Sequence, residues 1–454
     1  MPQQRKFEFI TVSGKERRTD PETLRRVHSH TQAEYRRRHA SKHRQKTVEL
    51  DVTPLLDRSL VQYHGHSLST PLENSRSDPF QSFKLGEDSR AHRLWDHVYD
   101  GTCAKFRTLI AIGFIDEVRE TIALSQMLSA SAWHLVHWLR CESDSGDDAR
   151  YSMITTRSLQ NQLDNLATGT SNEVITAVLA CAAYANLTRD PQTFQVHMDG
   201  LSQIFRCRGG ERALDSLGHL RLALFWIEVN GRLQQDAPAQ FPVPYHILAP
   251  KSKLNLTEPD LGRVSLDGHF TGLDESHVVK YGLQQLTLLG QIIDSAIVPW
   301  DDPLFPVFHI SPLLHDFLSI PRGSVHDSVH IRQRECFRLF GITYLLSVRS
   351  MTDFEPGAGM LYGTKLQLLL ETPGIFVPED KSYQILLWGL VVCVCTRVLF
   401  DELRGHFLAI LSRYLQVAGI ASFEEFLVVV WELPWCCKVF GDALYHLSRS
   451  FLGG

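Results

Sequence analysis

The stretch TFQVHMDGLSQIFRCRGGERALDSLGHLRLALFWIEVNGRLQQDAPAQF, Thr193 to Phe241, decides the fold. Just ahead of it, Asp190-Pro191 is a helix start. An Asp side chain accepts bonds from free backbone N–H groups, and Pro at the first helical position loses no bond. Phe194, Met198, Leu201 and Phe205 then recur at helical spacing with Ile204 beside them, so one face is apolar. Gly209-Gly210 ends the run, because Gly adopts the left-handed backbone that closes a helix. Leu214, Leu217, Leu220, Leu224 and Ile227 make a second stripe. The stretch predicts a helical hairpin with Leu201 and Leu224 facing its interior.

Working outward, the helical pattern continues on both sides. Upstream, Leu94, Trp95, Val98 and Tyr99 begin one stripe. Val118 to Leu139 reads as one long helical stretch ending at an acidic loop, Glu142 to Asp148. Val174 to Leu187 leads into the hairpin. Pro238 to Gly268 reads as irregular. Beyond it, Val278 to Ile297, Cys336 to Val348, Tyr383 to Leu403 and His406 to Val417 are helix candidates. Ser422 and Glu425 have the spacing of a capping box before Phe426 to Trp431. With no run of alternating strands, residues 90–454 are expected to form an all-α array of packed helical hairpins.

The segments ahead of that body differ in kind. Asp20-Pro21-Glu22 starts a helix that runs to about Lys46, but Leu24, Val27 and Tyr35 are too few for a core-facing stripe. Residues 49–89 are rich in Ser, Pro and Asp and read as a linker. Residues 1–48 hold thirteen Lys/Arg against five Asp/Glu, a net +8 that leaves −13 for the rest of a chain whose total is −5. Arg36, Arg37, Arg38, Lys42, Arg44 and Lys46 put six fixed positive charges within eleven residues. Such a cluster suits an import receptor or phosphate contacts, which are salt-sensitive and largely blind to sequence.

Length and composition bound the rest. At 454 residues, 44% hydrophobic and 21% charged, the chain has the make-up of a globular protein with a large core. Nine cysteines form no C-x-x-C pair and read as reduced thiols of a cytosolic or nuclear protein. The amino terminus lacks the apolar core of a signal peptide. Ile385 to Cys395, the most apolar run, is far short of the ~20 residues that span a bilayer. It reads as a buried helix, and no membrane partner is expected.

Catalysis needs particular residues at particular spacings. No H-E-x-x-H, G-x-S-x-G or Gly-rich phosphate loop occurs. His134 and His137 have a spacing at which two ligands meet on one helix face, but the plainer reading is the polar edge of a core helix beside Trp133 and Trp138. Asp144, Asp147 and Asp148 lack the closing Glu of a twelve-residue calcium loop and read as a solvated loop. No cofactor, metal site or enzymatic activity is expected.

Within the hairpin, His197-Met198-Asp199-Gly200-Leu201, Arg208-Gly209-Gly210, Phe225-Trp226 and the Asp236…Phe241-Pro242 tail resemble the helical regulatory region of fungal-specific transcription factors. Phe7-Glu8-Phe9-Ile10, Val27-His28-Ser29-His30, Asp78-Pro79-Phe80-Gln81-Ser82 and the Trp-rich end from Phe426 to Trp435 are similar to other parts of such proteins. Members usually carry a zinc binuclear cluster ahead of that region; here no cysteine precedes Cys103, so the six-cysteine cluster is not in this sequence. The resemblance implies a nuclear regulator of transcription, of a metabolic pathway or gene cluster. It would act mainly through other transcriptional regulators, with weak or indirect DNA contact, and an oligomer is compatible with it. The alternative is a helical interaction or ligand-sensing scaffold that does not bind DNA.

Overall fold

The computed structural model describes residues 89–165, 168–252, 276–295, 300–352, 358–376 and 383–452. All belong to the unit Asn74–Gly454. The arm and nearly all of the linker lie outside the described residues. Among the described residues the fold is all-α, without a strand. The first helices are α1 Ser89–Tyr99, α2 Ala104–Ile112, α3 Phe114–Arg119 and α4 Ala123–Trp133, which winds on into a π-turn, His134–Trp138. Next come α5 Asp147–Leu163, α6 Asn172–Thr188, α7 Pro191–Cys207 and α8 Gly218–Gln235. The later set is α9 Tyr245–Ser252, α10 Ser276–Ser295, α11 Ser311–Ser319, α12 Val329–Ser350 and α13 Gly359–Leu370. It ends with α14 Tyr383–Cys395, α15 Asp401–Val417, α16 Phe423–Trp431 and α17 Cys437–Leu452.

The hairpin forms for the reasons its sequence gives. Asp190 Oδ1 accepts the Thr193 N–H at 3.0 Å, and Pro191 is the first residue of α7. Phe194, Met198, Leu201, Ile204 and Phe205 are its buried face. Gly209 and Gly210 take φ of 89° and 106°, and the Gly210 N–H closes on the Phe205 carbonyl at 2.7 Å. Leu214 and Leu217 do not start the second stripe, because Glu211–Leu214 is a 3-10 turn and α8 begins only at Gly218. The two helices meet tightly at Gly231, where an added Cβ would lie 2.2 Å from Phe194 Cζ. Both also pack on α6, whose small residues (Ala177, Ala180, Ala182, Ala185) allow the approach.

In the later set, α12 and α14 are the central helices. From Ile385 to Cys393 every residue of α14 is buried, as a helix apolar on all sides must be. Trp388 donates its indole N–H to the Pro434 carbonyl at 2.7 Å. Two long helices read from periodicity are broken. Tyr383–Leu403 stops at Cys395, where buried Thr396 bonds Ser347 Oγ at 2.5 Å and accepts the Val398 N–H at 3.2 Å. Val118–Leu139 is interrupted at Glu120–Ile122, where Thr121 Oγ1 accepts the Ala123 N–H and restarts the chain as α4. The Pro-rich segment after Pro238 holds α9 rather than being irregular throughout. The capping box is present: Ser422 Oγ accepts the Glu425 N–H at 3.1 Å and Glu425 Oε2 accepts the Ser422 N–H at 3.4 Å. One continuous hydrophobic cluster runs from Ala91 to Leu447.

Candidate functional site

Charged groups inside an all-α core are costly unless paired, so they mark the places to search. The densest set closes the hairpin. Asp236, the residue after α8, has φ 50°, a left-handed value that Asp tolerates. Its carboxylate receives both ends of the Arg338 guanidinium, Nη1 at 2.7 Å and Nη2 at 2.9 Å, and Lys365 Nζ at 2.5 Å. Arg322 donates Nε to the Asp236 carbonyl at 2.7 Å. Glu335 takes two further N–H groups of Arg338 at 2.8 and 2.7 Å. Burial alone would raise the Asp236 carboxyl, but the bonds and charges of Arg338 and Lys365 outweigh it and hold the group below its ordinary range. Arg338, Asp236 and Glu335 are buried and bonded to one another, and only Lys365 and Arg322 reach solvent. The cluster is a junction between α8, α12 and α13, not an open site.

The tail of the same motif is held as firmly. Buried Glu228 accepts the Gln240 N–H at 2.5 Å and the Phe241 N–H at 3.1 Å, and Arg221 donates to the Pro242 carbonyl at 2.5 Å. Arg208 bonds Asn172 Oδ1 at 2.7 Å, tying the end of α7 to the start of α6, while Arg206 is exposed. His197 is half-buried, and burial lowers its pKa. The motif residues therefore pack, cap and close.

A second polar chain lies where α4 winds into the π-turn. Asp100 Oδ2 meets His97 Nδ1 at 2.7 Å, and His97 Nε2 meets His134 Nδ1 at 2.9 Å. Asp100 also accepts from the Thr102 N–H and hydroxyl, at 2.8 and 2.7 Å. Burial opposes its ionisation, yet the bonds from His97 and Thr102 prevail and its pKa falls. With Asp100 ionised, His97 donates from Nδ1, and a single proton bridges His97 Nε2 and His134 Nδ1. Burial brings His134 down to about 4. His137 takes no part: it is exposed and lies against Trp133, ring centroids 4.9 Å apart. The π-turn thus separates the two histidines that an α-helical spacing would bring together.

The acidic groups Asp144 and Asp147 of this loop are not solvated, contrary to its sequence reading. Asp144 and Asp147 are buried, and Arg93 and Arg90, one turn apart on α1, pair with them. Ser129 and Tyr184 hold Asp148 through its carbonyl and carboxylate. The loop is a clamp between α1 and the start of α5, where acidic groups also suit the helix dipole. Among the described residues no group of three His, Cys, Asp or Glu is arranged to hold a metal ion. No described helix is long and apolar enough to cross a membrane. All nine cysteines are unpaired, and Cys141, Cys207 and Cys437 are exposed. Arg36, Arg37, Arg38, Lys42, Arg44 and Lys46 lie outside the described residues. No protein-family model, curated protein or solved structure matches this chain.

Proposed function

We propose that this chain is a transcriptional regulator of the fungal-specific type, acting mainly through protein partners, other transcriptional regulators among them. The observation that carries the reading is the agreement between motif and architecture. Met198, Leu201, Phe225, Trp226, Asp236 and Phe241, which bear the resemblance, are all buried and all build the hairpin of an all-α body. A helical body of that kind is what the resemblance implies. On this reading the cluster from Arg36 to Lys46 supplies nuclear import and weak phosphate contact, and target selection comes from partners.

Chromatin profiling of the tagged protein, with transcript measurement after gene deletion, tests it. Discrete occupied promoters with matching transcript changes are expected; cytoplasmic residence without a transcript response would overturn it in favour of a scaffold. Neutralising Arg36, Arg37, Arg38, Lys42, Arg44 and Lys46 together is expected to move a fluorescent fusion from nucleus to cytoplasm and leave the helical signal of the body unchanged. DNA binding by the intact chain is expected to be weak and to fall steeply between ~50 and ~200 mM salt.

A further inference from the structure

Where α14 ends, the chain turns through Thr396 and enters α15 five residues later, and α17 packs against α14. Between them lies a cleft of about 460 Å³. That is within the range of small-molecule sites, roughly 300–1,000 Å³. Val394, Cys395 and Leu447 form its floor, with Ala443 beside them; Arg397, Arg404, Asp442 and His446 stand at its rim. Burial pushes the Cys395 thiol up to about 12, so the floor is uncharged. Asp442 and His446 are four apart on α17 and share a face.

Two charges of this rim are unspent and a third is held only at the surface. Arg397 has no hydrogen bond or ion pair with any described residue, nor has Asp442. Arg404 pairs through Nη2 with Asp401, a carboxylate whose side chain is 91% exposed, so water competes for it. Its Nε is buried without a hydrogen-bond partner. Two guanidinium forks beside an apolar floor match an anionic head on an apolar body, because Arg binds carboxylate and phosphate bidentately.

We infer that this cleft binds a small organic anion, a carboxylate or a phosphate monoester with a short apolar body, its charge between Arg397 and Arg404 and its body over Val394, Ala443 and Leu447. The inference is independent of any role in transcription, and binding to the purified chain tests it alone. Calorimetric titration with phenyl phosphate, benzoate, inorganic phosphate and neutral benzyl alcohol is the experiment. Phenyl phosphate or benzoate is expected to bind, and the tighter of the two identifies the head group. Inorganic phosphate is expected to bind more weakly than phenyl phosphate, and benzyl alcohol not at all. Arg397→Ala and Arg404→Ala are each expected to weaken the better ligand tenfold or more with the melting temperature unchanged; exposed Arg413→Ala is expected to leave it unaltered. Asp442→Asn removes a like charge from the rim and is expected to tighten binding several-fold, a gain that no folding defect produces. Absence of binding by both phenyl phosphate and benzoate at about 10 mM, weaker than any millimolar site, would overturn the inference. So would binding indifferent to Arg397, Arg404 and Asp442.

Discussion

Arg338 and Arg397 stand in the same later set of helices and carry the same side chain, yet they meet opposite surroundings. Around Arg338 two carboxylates close the guanidinium from both sides, and Lys365 and Arg322 complete the set. Around Arg397 an open cleft collects a histidine, an aspartate and a second arginine whose partner is the exposed Asp401. Saturation makes the first cluster part of the fold. The unsatisfied charge of the second leaves it able to act on something outside the chain.

The comparison predicts effects on stability that decline from the first region outward. Arg338→Met strands Glu335 in the core and weakens the hold on Asp236; urea unfolding is expected to show a loss of about 3–5 kcal/mol. A loss below 1 kcal/mol would mean that water or the remaining cations serve as well, and the contrast with Arg397 would fade. Leu201→Ala and Leu224→Ala, at two fully buried positions of the hairpin, are each expected to cost about 2–5 kcal/mol, whereas exposed Arg206→Ala falls within about 0.5 kcal/mol of wild type. Unchanged melts for both Leu variants would break the assignment of faces from which the fold is argued.

Acid should separate two buried groups. His134 has its pKa lowered to about 4 in the folded chain. Its ordinary value is ~6.5, so the unfolded chain takes the proton first, and stability present above that value is lost as pH falls from there towards the folded value. Asp236 is also depressed. Its contribution stands above the unfolded value of ~3.9 and is lost as pH falls further, through the folded one. Glu228 runs the other way, since burial raises it and its contribution grows as pH falls. Melts of His134→Gln and Asp236→Asn across pH 3 to 8 isolate the terms. The first variant should flatten the profile from ~6.5 down to ~4 and the second below ~4. Parallel profiles for all three proteins would refute both assignments.

What could be read in advance followed the range of each interaction along the chain. The Asp190 cap, the Gly209-Gly210 stop and the Ser422–Glu425 box are made within a few residues, and all three stand where the sequence puts them. The burial of α14 was legible too, since an uninterrupted apolar helix has no polar face to show to water. Asp236 stood out only as part of the motif and gave no signal of its ion pairs, because its partners lie 102 and 129 residues away. The Asp144–Asp147 loop misled for a related reason: the arginines that bury it stand on α1, some 50 residues earlier, as with Arg93 and Ser143. Periodicity alone did not see the breaks at Thr121 and Thr396, where a single hydroxyl redirects the backbone without interrupting the apolar pattern. The π-turn was hidden likewise, and with it the link from His134 to His97. The cleft at Arg397 draws on the end of α14, the start of α15 and the middle of α17, which no local pattern joins.

Thermal unfolding and titration with phenyl phosphate, run side by side on Arg338→Met and Arg397→Ala, test the contrast between saturated and open charge most directly. The predicted outcome is crossed: Arg338→Met melts many degrees lower and, at a temperature where it is still folded, binds as the wild type does. Arg397→Ala melts as the wild type does and binds at least tenfold more weakly. Loss of stability in both variants to a similar extent, with binding unchanged in Arg397→Ala, would contradict it.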